Sequence, residues 1–99
     1  MDFDAPSDRE IRRERAKAQA LRKTRWWQQK TASGRCFYCN KVVPYREITM
    51  DHLLPISRGG RSTKENLVPS CKSCNSLKKS MMPLEWEAYC GTLAKTGAD

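Results

Sequence analysis

The 99-residue chain has one histidine, two phenylalanines and only 8% aromatic residues, and apolar residues make up 38% of it. A chain this polar and this short buries little apolar area, so one domain at the small end of stability is the most it can build, and a metal or disulfides are needed as a staple. No apolar run approaches the roughly 20 residues that cross a bilayer, which excludes a membrane span. The start, Met1 to Pro6, lacks a basic residue followed by an apolar stretch, so no secretory leader is expected. Acids are also scarce: 11 against 19 Lys and Arg, a formal net charge of +8. Such a balance suits a polyanion, nucleic acid first and an acidic membrane surface second.

The five cysteines are an odd number, which argues against a fully paired disulfide scaffold. In a reducing setting, clustered cysteines act as metal ligands. Cys36-x-x-Cys39 and Cys71-x-x-Cys74 stand 31 residues apart, and two such turns present four thiolates tetrahedrally, the coordination that favours zinc. One structural Zn²⁺ per chain is expected. Four thiolates leave no open position for water, so chemistry belongs elsewhere, in the segment the metal encloses. Cys90 is left as a small apolar side chain without a function.

The charge is concentrated near the start. Residues 9–30 carry nine bases against Glu10 and Glu14. Ser7-Asp8-Arg9-Glu10 fits a capping box, and no Gly or Pro interrupts residues 7–33, so one long basic helix is predicted, stopped by Gly34. Ile11, Ala18, Leu21 and Trp26 form its narrow apolar stripe, with Ala16, Ala20 and Trp27 roughly opposite, and Trp26 is assigned to packing. Beyond Arg35 the pattern predicts strands at 42–45 and Ile48–His52, a loop over 53–65, a brief strand at 66–68 limited by Pro69, and a helix over 71–80. A last helix opens at Pro83 and carries Leu84, Trp86, Tyr89, Cys90 and Leu93, followed by a frayed tail at 96–99. Three parts result: a basic helical extension (1–33), a zinc-stapled module (34–80), and a C-terminal helix and tail (81–99).

Within the module, Asp51 directly precedes His52. Alternation on a strand sends the two side chains to opposite faces, unless the strand twists or ends there. The pattern Cys36-x2-Cys39, Asp51-His52-x2-Pro55, Ser57-x-Gly59-Gly60, Asn66-Leu67, Cys71-x2-Cys74-Asn75-x2-Lys78 resembles the HNH endonucleases, also called ββα-metal or His-Me finger nucleases, over residues 34–80. The resemblance implies an α+β fold: a small ββα-metal unit with a treble-clef-like four-cysteine zinc site. It implies His52 as general base, Asp51 and Asn75 as ligands of a catalytic Mg²⁺ or Mn²⁺, and Asn66 as a brace that orients the histidine. Asn75 stands where many relatives have histidine, and an amide oxygen is a harder donor, so Ni²⁺ and Zn²⁺ should be poorly tolerated there.

The expected partner is DNA, double- or single-stranded, with neither a membrane nor a small-molecule substrate. Lys78, one helical turn after Asn75, and Arg58 and Arg61, beside the glycine pair, are candidate phosphate contacts. Lys72 and Lys79 are secondary ones. Arg12, Arg15, Arg22 and Arg25 extend the contact along the basic helix. The whole reads as a cytoplasmic, bacterial or phage-encoded nuclease that nicks DNA with little sequence preference. The alternatives are a non-catalytic zinc-stabilised nucleic-acid-binding module and a domain whose basic helix docks on an acidic protein.

Overall fold

A computed structural model describes residues 5–96, with side chains described through residue 92. Of the expected frayed tail, 97–99 lie outside the described residues, as does the side chain of Leu93, whereas Thr96 still belongs to the last helix. The order is α1 (Asp8–Arg22), α2 (Arg25–Lys30), β1 (Ile48–His52), β2 (Leu67–Cys71), α3 (Lys72–Lys78) and α4 (Pro83–Thr96), with short 3-10 turns at Tyr45–Glu47, Ile56–Arg58 and Lys64–Asn66. This is an α+β arrangement in which a two-stranded sheet leads directly into a helix.

The capping box forms as expected: the Ser7 hydroxyl accepts from Glu10 N–H, and Glu10 Oε1 accepts from Ser7 N–H. The single helix expected over 7–33 is instead two. Thr24 turns extended, its hydroxyl donating to Leu21 O at 2.7 Å while accepting from Trp27 N–H at 3.3 Å, so it ends one helix and caps the next. The break changes the phase of the apolar stripe. Trp27 is buried with Ala18, whereas Trp26 is partly exposed, its ring approached by Lys30 and Lys64. The assignment of Trp26 to packing thus passes to its neighbour. Gly34 has φ 70°, and a Cβ there would stand 2.6 Å from Val43 O, which makes glycine the only residue this stop accepts without a backbone shift.

No strand spans 42–45. Val42 makes a lone bridge to Arg35, and Pro44 starts a 3-10 turn closed by Glu47 N–H on Pro44 O. β1 pairs with β2 antiparallel, from Ile48 opposite Cys71 to His52 opposite Leu67. Pro69 does not end β2. Its carbonyl accepts from Phe37 N–H at 2.8 Å, so it faces away from β1, and the nitrogen without a hydrogen faces the same way.

Between the strands, residues 53–66 fold back on themselves. Asn66 Oδ1 accepts from Leu54 N–H at 2.9 Å, and Asn66 Nδ2 donates to Leu54 O and Arg61 O at 3.1 and 2.8 Å. Gly60 closes the turn on Pro55 O, and a Cβ on it would lie 1.7 Å from Leu54 O. No other residue fits there.

The zinc-type cysteines gather at the opposite end of the sheet. Their four Sγ atoms all lie within 4.8 Å of one another, close to the roughly 3.8 Å edge of a tetrahedron with 2.3 Å zinc–sulfur bonds. Tyr38 N–H and Cys74 N–H point at Cys36 Sγ and Cys71 Sγ, as donors to thiolates do. Burial pushes the Cys36 thiol up, but backbone N–H groups at Cys39, Cys71 and Tyr38 outweigh it and bring the thiol down to about 7. The cluster fits a structural zinc, and Tyr38, Val43 and Trp86 pack around it.

α1 packs on the turn Ile56–Arg58, and Glu14 faces inward, only 5% exposed. Its Oε1 accepts from Ser62 N–H at 2.6 Å, and its Oε2 lies 3.3 Å from Lys17 Nζ and 3.4 Å from an Arg61 nitrogen. The Ser62 N–H, helped by Lys17 and Arg61 and opposed by burial, holds this carboxyl below its ordinary 4.5.

Two outcomes follow from these contacts. Elemental analysis should find about one zinc per chain, and chelation should abolish cooperative unfolding; a full thermal transition in excess chelator would refute the staple. Glu14 contributes its full stabilisation above pH 4.5 and loses it as pH falls through the lowered value. The melting-temperature gap between wild type and Glu14→Gln should therefore close on acidification, and a gap independent of pH would exclude the ion-pair account.

Candidate active site

Asp51 and His52 are the last two residues of β1. Asp51 and His52 both line a cleft of about 210 Å³, with Arg15 of α1, Pro55, Ser57 and Lys79 among its other walls.

The imidazole is half-buried, and its Nε2 lies 2.9 Å from Ser62 Oγ. Burial holds the ring below its ordinary value of 6.5, against the opposing charges of Asp51 and Glu14, so it is neutral at pH 7. Asp51 is 8% exposed and is gripped on Oδ2 by the Tyr38 hydroxyl at 2.5 Å and Lys78 Nζ at 3.2 Å. Burial first, and then Asp51, push the Tyr38 hydroxyl far up, so it stays a donor. Asp51 Oδ1 carries neither of these contacts.

Asn75, on α3, is brought to the same side of β1 as Asp51, but one strand step back. Its Nδ2 donates to Thr49 Oγ1 at 2.7 Å, and Thr49 and Asp51 share a face two residues apart. The Asn75 amide oxygen is not spent on that bond. Asn75 lines a neighbouring groove with Arg22, Tyr45, Arg46 and Met50 rather than the Asp51-His52 cleft itself. Asn66, as described, braces the loop through backbone groups; the residue bonded to the imidazole is Ser62, not Asn66.

Lys78 is not where a phosphate contact would be. Its side chain is 0% exposed, and besides Asp51 the ammonium reaches His52 O at 3.2 Å, Leu53 O at 3.4 Å and the Tyr38 ring at 5.6 Å. It ties α3 to the end of β1. Arg58 is partly committed as well, donating to Glu85 Oε1 at 2.8 Å and so linking the glycine loop to α4. Arg61 pairs with Glu14 while staying exposed. Arg12, Arg15, Arg22 and Arg25 are exposed along α1 and α2, and Lys72 and Lys79 are exposed on or just after α3. Of all these bases, Arg15 and Lys79 reach the cleft.

Sequence reasoning passed over Tyr38, Ser62 and Glu14. One signal for Glu14 was available: it falls with Ile11, Ala18 and Leu21 at helical spacing, an acid on the apolar stripe of a basic helix. For Ser62 no local signal exists, because its role depends on a helix some 48 residues earlier.

Residues 36–80 match the family model described as HNH endonuclease. A stretch of 44 residues is 39% identical to part of the CRISPR-associated endonuclease Cas9 of Corynebacterium diphtheriae, taking in 43% of this chain and 4% of that protein's length. The cysteine pairs, the Asp-His strand end and both asparagines fall inside the span, residues 36–80, over which the chain is similar to HNH endonucleases.

Proposed function

We propose that the chain is a divalent-metal-dependent endonuclease that hydrolyses phosphodiester bonds of DNA, nicking with little sequence preference. The observation that carries this reading is the shared cleft: a neutral imidazole and a buried carboxylate at one strand end, with Arg15 and Lys79 on its walls. The two cations suit a phosphate, and they position a backbone without reading bases. His52 takes a proton from the attacking water, whose oxygen bonds to phosphorus as the 3′ oxygen leaves. The donor set also suits a hard cation, since Asp51 keeps Oδ1 and Asn75 keeps its amide oxygen after their protein contacts are counted. Mg²⁺ or Mn²⁺ held by these two residues would supply Lewis-acid stabilisation of the charge growing on the phosphate and the leaving oxygen.

A second reading, a non-catalytic zinc-stabilised nucleic-acid-binding module, draws on Lys78. Its buried ammonium already sits 3.2 Å from Asp51 and neutralises it without a divalent ion.

Supercoiled plasmid separates the two. The enzyme reading expects nicked circles with Mg²⁺ or Mn²⁺ and none with chelator, and a loss of about 10²–10⁴-fold in rate for His52→Ala. Retarded but uncut plasmid in every metal, or equal nicking by His52→Ala, would establish the binding module instead.

A further inference from the structure

The Ser62 hydroxyl has one proton to give, and two partners lie within reach. Ser62 Oγ is 2.5 Å from Glu14 O, a backbone carbonyl that only accepts, and 2.9 Å from His52 Nε2. The proton therefore goes to Glu14 O, and towards the imidazole Ser62 can only accept. Nε2 must then carry the hydrogen of the neutral ring, which leaves the lone pair on Nδ1. The backbone of Ser62 is held by the same residue, since its own N–H is donated to Glu14 Oε1 at 2.6 Å. Both halves of this clamp belong to one residue of α1, and Glu14 stands 22 residues before the start of the family-matched span at residue 36.

We propose that α1 is a built-in part of the active site: Ser62, held by the backbone carbonyl and the carboxylate of Glu14, is a positioning residue that locks His52 in the Nε2–H tautomer and presents Nδ1 as the proton acceptor. The functional consequence rests on the nuclease reading above, whereas the tautomer does not. The basic helix thus has two faces with two duties. Its arginines are exposed, with Arg15 at the cleft, and its inward Glu14 holds Ser62 against the histidine.

The full-length protein allows a direct test, because His52 is the only histidine and its imidazole nitrogens give a single pattern. In ¹⁵N-labelled wild type at about pH 8, where the ring is neutral, long-range ¹H–¹⁵N correlation should show a protonated Nε2 with an observable proton, and an unprotonated Nδ1. Ser62→Ala should lose that slowly exchanging proton and relax towards the tautomer mixture of a free imidazole. Its kcat for nicking should fall about ten- to a hundredfold with KM unchanged. Ser62→Thr, which keeps the hydroxyl, should restore both. An Nδ1–H tautomer in wild type, or a Ser62→Ala variant with unchanged spectrum and rate, would overturn the proposal. A protein that cuts no DNA yet shows the Nε2–H pattern, lost in Ser62→Ala, would uphold the positioning and sink the nuclease reading alone.

Discussion

A carboxylate buried in a domain of this size must be surrounded by donors or it unfolds what surrounds it. Glu14 meets that condition through Ser62 N–H, Arg61 and Lys17. The dependence runs in both directions. Lifting α1 would strand Ser62, free the imidazole to rotate, and open the wall of the cleft that Arg15 forms. The extension that composition marks as an electrostatic arm is also the element that completes the Asp51-His52 cleft.

The sheet carries this arrangement between two anchored ends. At one, Ile48 pairs with Cys71 beside the four sulfurs; at the other, His52 pairs with Leu67 beside the Asn66 brace. Five residues per strand span about 15 Å, so the metal-type cluster and the cleft are separate sites joined by a short rigid ladder. Between them sits the Asp51–Lys78–Tyr38 group, which joins β1, α3 and the first cysteine turn. Tyr38 belongs to both ends, packing on the cysteines and bonding Asp51. One residue thus links the cysteine cluster to the Asp51 carboxylate.

Features defined by short spacing were legible before any coordinates. The cysteine pairs, the Ser7–Glu10 cap, the Gly34 stop, the Pro83 start and the Asp51-His52 strand end are each set by residues within a few positions, and all formed. Asn66, expected from the family resemblance to brace the loop and orient the histidine, makes three bonds to loop backbone groups, while the imidazole is bonded to Ser62. What escaped were choices made by tertiary context. Thr24 is an acceptable helix residue that here becomes a cap, and this moved burial from Trp26 to Trp27. Pro69 is compatible with a strand because Phe37, 32 residues earlier, takes its carbonyl. Lys78 has the spacing of a phosphate contact, but its ammonium found a carboxylate and two carbonyls inside. Charge and helical phase do not reveal which lysine a fold will bury.

Native-state hydrogen exchange tests most directly whether the basic helix and the nuclease module are one cooperative unit. The account predicts that the Ser62 amide and the interior amides of α1 exchange only with the free energy of global unfolding, alongside those of β1 and β2. Rapid exchange of α1 and of Ser62 while the sheet remains protected would contradict it, and would reduce the helix to an appendage of the domain.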